Sequence, residues 1–262
     1  MAEMKMPNAQ YNVAAPDSLP IHIAGLQRRK MYKEFLRLGI APEDTVLDIG
    51  VTSDRSYDHS NYLEAWYPFK DRITAVGIDD GAAFLETVYP GIKFLKADGR
   101  KLPFANGAFD YVHSSAVLEH VGSAARQCAF VAEACRVARK GVFLTTPNRW
   151  FPVEFHTVLP LVHWLPKAMF RKLLIAAGKP FFAREENLNL LSSSELHSIA
   201  KSIAGARYRV RGVRLTGLVS NLMLIVEKPG PGISHDLLHR IRSFRIAFVC
   251  SNYWLWAFLF RL

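Results

Sequence analysis

Three acids in this chain stand directly after short apolar runs, each placed to receive hydrogen bonds from a ligand. Asp48 follows Val46-Leu47 and leads through Ile49 to Gly50 and the small polar loop at 51–54; Asp79 ends AVGID; Asp98 ends FLKAD and precedes Gly99. An apolar run that stops at an acid and a glycine reads as a buried parallel strand ending at the crevice where open α/β sheets bind nucleotide-type ligands. Gly50 allows a sharp turn and close approach of the backbone. A carboxylate at Asp79 can accept both hydroxyls of a ribose, with Asp80 as the competing residue. A fourth block, FDYVHSSAVLEHV at Phe109–Val121, sets Ser114, Ser115, Glu119 and His120 just after a strand, at the same edge. His120 either removes a proton from an acceptor group as a general base or packs the start of a helix. His156 is a second base candidate, and His113 reads as internal to the strand.

These residues need a scaffold that brings strand ends to one edge. Strand patterns cover Thr45–Ile49, Ile73–Ile78, Ile92–Ala97, Phe109–Ser115 and Gly141–Thr145. Helical patterns lie at Ile21–Leu38, Asn61–Trp66, Ala82–Val88, Ala116–His120, Ala124–Ala138 and Ser192–Ala204, the last with a serine N-cap and Glu195 in its first turn. Two further strands, Arg207–Leu215 and Ser220–Glu227, are joined by a turn at Gly217. The alternation implies α/β architecture: a doubly wound, mostly parallel seven-stranded sheet with an antiparallel last strand. The expected organisation is an N-terminal arm and covering helix over 1–40, a ligand-binding domain over 41–229, and a tail over 230–262.

The order and spacing of the four blocks resemble the class I S-adenosylmethionine-dependent methyltransferases of the broad type 11 kind, over roughly Pro42–Pro147 and more loosely to about Lys228. The resemblance implies S-adenosyl-L-methionine as cofactor. Asp48, Gly50 and Thr52 would serve its amino-acid end, Asp79 its ribose, Asp98 and Gly99 its adenine, with Ser115 nearby. The family's usual loop is D/E-x-G-x-G-x-G, and here Thr52 and Asp54 replace later glycines. A related subgroup, the ubiquinone-pathway O-methyltransferases, binds metal with an added acid three residues before its Glu-His pair. That position is Ala116, so no metal is expected. A dinucleotide dehydrogenase would need G-x-G-x-x-G to seat a pyrophosphate, and Asp54 would repel one.

Residues 148–191 form a long insertion of the kind that acts as a lid or binding element. Trp150, Phe151, Phe155 and Trp164 are candidates to line an apolar acceptor pocket, and Arg149 to hold an anionic group. Leu161, Leu165, Met169 and Leu173 repeat at helical spacing opposite Lys167, Arg171 and Lys172. The final segment ends in fifteen uncharged residues, Ile246–Phe260, flanked by arginines. A spanning helix needs ~20 apolar residues, so this run suits a helix lying on an anionic membrane surface through 235–262, or one packed on protein.

Half of the 262 residues are hydrophobic and the net charge is +10. That composition supports a full core and excludes disorder and a polytopic membrane protein. The basic residues near the C-terminus are interleaved with apolar ones, so no nucleic-acid partner is expected. Cys128, Cys135 and Cys250 read as core thiols of a reducing compartment. The N-terminus has no apolar signal core, which points to a cytoplasmic protein, peripheral at most on the inner membrane face. The functional expectation is methyl transfer to a small-molecule, lipid-linked or glycan-type acceptor. The alternative is a membrane-associated, non-catalytic scaffold of the same fold. The oligomeric state is not legible.

Overall fold

The computed structural model describes residues 18–55, 59–203 and 207–228. The described residues up to Glu227 belong to one compact unit. The tail at 235–262, where the membrane-lying helix was expected, falls outside the described residues. Among the described residues no helix is long and apolar enough to cross a membrane.

Seven strands form one sheet in the order β3-β2-β1-β4-β5-β7-β6. They are β1 Val46–Ile49, β2 Ile73–Gly77, β3 Lys93–Lys96, β4 Phe109–Ser115, β5 Ala138–Pro147, β6 Arg207–Leu215 and β7 Leu218–Glu227. The pairs among β1 to β5 are parallel, and β7 runs antiparallel to both β5 and β6. Every expected strand is present, with β5 extended at both ends. Thr216 and Gly217, both at positive φ, make the two-residue turn of the β6–β7 hairpin.

Side-chain alternation along the strands builds a core on each face of the sheet. One face packs Leu47, Val142 and Leu224 against α4 (Ala124–Val137) and α7 (Ser193–Ser202). The other packs Val46, Phe143 and Ile225 against α1 (Leu19–Leu36), α2 (Tyr62–Trp66) and α3 (Phe84–Val88). Met31 and Phe35 of α1 are buried there, so this helix shares the core of the domain it precedes. α7 opens with a full capping box between Ser192 and Glu195. Asp110 steadies the start of β4: it accepts from the Thr45 amide and hydroxyl and pairs with Arg139.

The insertion differs from its expected form. Its α-helices are α5 (Lys167–Ala176) and the short α6 (Pro180–Ala183), preceded by a single 3-10 turn at Val162–Trp164. α5 buries Phe170 and Leu174, which pack with Ala183, Leu188 and Leu190. The expected apolar face is solvent-facing at Leu161, Met169 and Leu173. The helix starts only after Pro166, and its one buried stripe is set by the pair at 170 and 174, spaced i, i+4.

Candidate active site

The carboxyl ends of β1, β2, β3 and β4 open onto a cavity of about 600 Å³. Of the residues singled out in the sequence, Gly50, Thr52, Asp79, Asp98, Gly99 and His120 lie on its wall.

The loop after β1 is built by more than glycine. Gly50 has φ +96, and a Cβ there would lie 2.2 Å from Val117 Cγ2. The amides of Gly50 and Val51 both donate to the carbonyl of Val76. Thr52 has negative φ, so no glycine is required at that position. The Asn61 side chain holds it instead: Thr52 N donates to Asn61 Oδ1 and Asn61 Nδ2 donates to the Thr52 carbonyl, each at 2.9 Å. Asp54 accepts from the Ser60 hydroxyl. Asn61 carried no sequence signal beyond its place at the start of α2.

Asp79 accepts from Ser53 Oγ at 2.5 Å and from the Gly81 amide at 3.0 Å. Both bonds hold its carboxyl below the usual carboxylate range. Each carboxylate oxygen keeps acceptor capacity beyond these bonds. Asp98 is gripped by Arg100, whose Nε and Nη2 donate to its carboxylate, with a further bond from the Arg100 amide. A Cβ on Gly99 would meet the Phe130 ring at 2.5 Å, so this glycine is required by packing as well as by the cavity.

Asp48 and Ser115 are not among the residues of the cavity wall. Leu47 and Ile49 face one core, so Asp48 faces the other. There it accepts from His113 Nδ1 at 2.7 Å, while the Tyr62 hydroxyl is 2.7 Å from His113 Nε2. Burial pushes Asp48 up to about 7 and lowers His113 to about 4. Burial and the adjacent Asp48 raise Glu64 well above its ordinary range. Burial thus keeps His113 neutral, with Nδ1 facing Asp48 and Nε2 facing the Tyr62 hydroxyl. Ser115 pairs with Thr145 at 3.0 Å.

The two base candidates, 36 residues apart in sequence, meet: His120 Nε2 lies 3.0 Å from His156 Nε2. His120 Nδ1 is 2.6 Å from the Asn187 carbonyl and must donate to it. His156 Nδ1 is 2.7 Å from Glu154 Oε1. Glu154 also accepts from the amides of His156 and Thr157. Although burial opposes ionisation, the His156 charge and these bonds hold Glu154 down at about 2. Burial likewise opposes the His156 charge, but Glu154 prevails and raises it. Behind the pair, Glu119 is fully buried and pushed up to about 7 by that burial. Its Oε2 accepts from Thr146 Oγ1, whereas Oε1 has no hydrogen-bond partner and lies 3.9 Å from His120 Nε2. Glu154 and Asn187 were not foreseen, since no local pattern links the insertion to the end of β4.

The insertion's other candidates have structural positions. Arg149 donates to the carbonyls of His163 and Leu165 and stacks on Trp150, so it ties the insertion together rather than holding an anion. Phe151 is buried and stacks on Phe155, while Trp150 and Trp164 remain about half exposed.

Residues 47–146 match the methyltransferase domain family. No curated protein sequence matches the chain. Magnesium protoporphyrin IX methyltransferase from Synechocystis PCC 6803, crystallised with S-adenosylhomocysteine, superposes with a TM-score of 0.53 at 12% identity, covering 85% of this chain and 91% of that one. A S-adenosylmethionine-dependent methyltransferase from Aquifex aeolicus gives 0.50 at 16% identity, covering 80% and 98%. At these identities the structures share the fold. Residues 47–146 thus carry a methyltransferase domain, and the sheet order and the cavity at its carboxyl edge are those of the S-adenosylmethionine-dependent methyltransferase fold.

Proposed function

We propose that this enzyme methylates an apolar, lipid-linked acceptor at a hydroxyl or amine that reaches His120. The observation that carries the reading is the location of exposed apolar surface. Of sixteen large hydrophobic side chains exposed among the described residues, nine fall in the insertion between Trp150 and Ile175. Such a concentration is unusual on a protein with no apolar partner. The same insertion supplies His156 to the cavity's His120, so the apolar surface and the proton-handling pair belong to one segment.

The cavity's size suits one cofactor-sized ligand, since such pockets span ~300–1,000 Å³. The bulk of a long acceptor would therefore lie outside it, along the insertion. In this reading Asp79 accepts the ribose hydroxyls, the Asn61-braced backbone at 50–52 meets the amino-acid end, and Asp98 shares its carboxylate between Arg100 and the adenine amino group. S-adenosylmethionine, when bound, supplies a methyl group already activated by its sulfonium. The protein's work is then to hold the acceptor in line, exclude water and receive a proton at the His120–His156 pair, whose positive charge Glu154 balances.

The test offers radiolabelled methyl donor with isoprenoid- and acyl-linked acceptors, and with matched water-soluble hydroxyl compounds. Label should enter the lipid set. It should fall at least ~10-fold when Trp150 and Trp164 are both changed to serine, with cofactor affinity unchanged. Label confined to the water-soluble set would overturn the lipid reading. The scaffold alternative loses its main motivation, because Thr52 occupies its place without a strained backbone.

A further inference from the structure

The geometry points to a divalent transition-metal site formed by Glu119 Oε1, His120 Nε2 and His156 Nε2. The one-atom ligand positions of these three residues lie within 4.8 Å of one another. Each imidazole has its Nδ1 committed: His120 to the Asn187 carbonyl, His156 to the Glu154 carboxylate. Both Nε2 atoms then point their remaining capacity at each other across 3.0 Å. Two imidazole nitrogens so placed need a shared cation between them. The third group is a carboxylate oxygen that is buried and without a hydrogen-bond partner, 3.9 Å from His120 Nε2.

A proton can bridge the two rings but leaves Glu119 Oε1 unpartnered. A metal ion satisfies all three atoms at once. Nitrogens bound to a tetrahedral zinc at ~2.0–2.1 Å are about 3.3 Å apart, so only a few tenths of an ångström of movement separate the observed pair from a ligand pair. The outer groups are also those of a metal site. Ligating histidines ordinarily donate their second N–H to a carboxylate or a backbone carbonyl, and here one does each. Thr146 Oγ1 donates to the far oxygen of Glu119 and orients the carboxylate. Two imidazoles and one carboxylate favour Zn²⁺ or Fe²⁺ over Mg²⁺ or Ca²⁺, which prefer all-oxygen shells. Three protein ligands leave a coordination position open, as in catalytic rather than structural zinc sites. His120 lines the cavity, so that position is available to an oxygen of a bound acceptor; with both Nε2 atoms ligated, the ion would raise that oxygen's acidity in place of the proton-accepting role the metal-free pair has in the reading above.

His156 comes from the insertion, so the ligand set does not need the acid that Ala116 replaces. Ala116 holds a left-handed backbone, φ +56, on the cavity wall. The inference does not depend on the nature of the acceptor, because it is tested without donor or acceptor. The full chain, untagged and stripped with chelator, is titrated with Zn²⁺ alone by calorimetry and with Co²⁺ by visible absorption. One ion per chain is expected, with Co²⁺ showing the intense bands of a low-coordinate nitrogen–oxygen site. His156→Gln and Glu119→Gln should each weaken binding by more than ~10-fold while thermal melts show a folded protein. His197→Gln, on the distant α7, should not. Sub-stoichiometric binding to the folded wild type, or binding that survives both site substitutions, would overturn the site and leave a shared proton between the rings. Should either site variant fail to fold, the Co²⁺ spectrum of the wild type decides alone: weak octahedral bands refute it.

Discussion

Asn61→Ala should loosen the loop after β1 and weaken cofactor binding more than it weakens the fold. The Asn61 amide makes two hydrogen bonds to Thr52, one to its N–H and one from its own NH₂ to the carbonyl, both 2.9 Å and both buried. Each such bond contributes ~0.5–1.5 kcal/mol net, so the pair is worth about 1–3 kcal/mol. If that energy pre-orders the loop for S-adenosylmethionine, binding must supply it in the variant. Affinity should then fall by roughly 5- to 150-fold, at ~1.4 kcal/mol per decade. Calorimetric titration with S-adenosylmethionine and S-adenosylhomocysteine measures the loss, and thermal unfolding without ligand measures the share borne by the fold. Asn61→Asp keeps an acceptor for the Thr52 amide but loses the donor, so it should fall between the two. Wild-type affinity in Asn61→Ala, with an unchanged melting temperature, would refute the idea that this side chain replaces the missing glycine.

Gly50→Ala should fail more severely, because it adds a left-handed backbone penalty of ~1–2 kcal/mol to a Cβ 2.2 Å from Val117 Cγ2; adding Val117→Ala should recover only the second part, as read by denaturant titration. Asp48→Asn should flatten the pH dependence of stability. The wild-type carboxyl titrates near 7 when folded, above its ordinary 3.8, so its contribution is whole below about 3.8 and lost as pH rises through 7. The wild type should therefore lose a few kcal/mol relative to the variant between pH 4 and 8, and parallel stability curves would count against a buried, protonated Asp48. Leu174→Ala, at a fully buried site under α5, should cost ~2–5 kcal/mol in a two-state protein. If the insertion instead opens independently, hydrogen exchange in 167–190 should rise while that of the sheet stays unchanged.

The centre of the sheet was legible because β1, β2, β4 and β5 are mostly apolar runs buried on both faces, and a run such as Val142–Leu144 has few other stable placements. The strand-end acids were legible for the same reason, but their directions were not read. Leu47 and Ile49 face one core, and period-two alternation alone turns Asp48 toward the other, into contact with His113 rather than the cavity. Asp98 shows the converse. Its position on the cavity wall followed from the pattern, whereas its capture by Arg100, two residues on, depends on rotamers that no pattern records. The insertion was the least legible. A helical stripe read through Leu161, Met169 and Leu173 ignores that Pro166 delays the helix, and the buried stripe is carried by Phe170 and Leu174 instead. The same gap hid the association of His156 with His120. Each is a base candidate by its chemistry, but their contact depends on where an irregular segment crosses the sheet edge. That contact, the committed Nδ1 atoms and the orphaned Glu119 oxygen together change the chemistry available at the site. Either histidine alone is a candidate base; the three groups together could hold a cation beside the cavity.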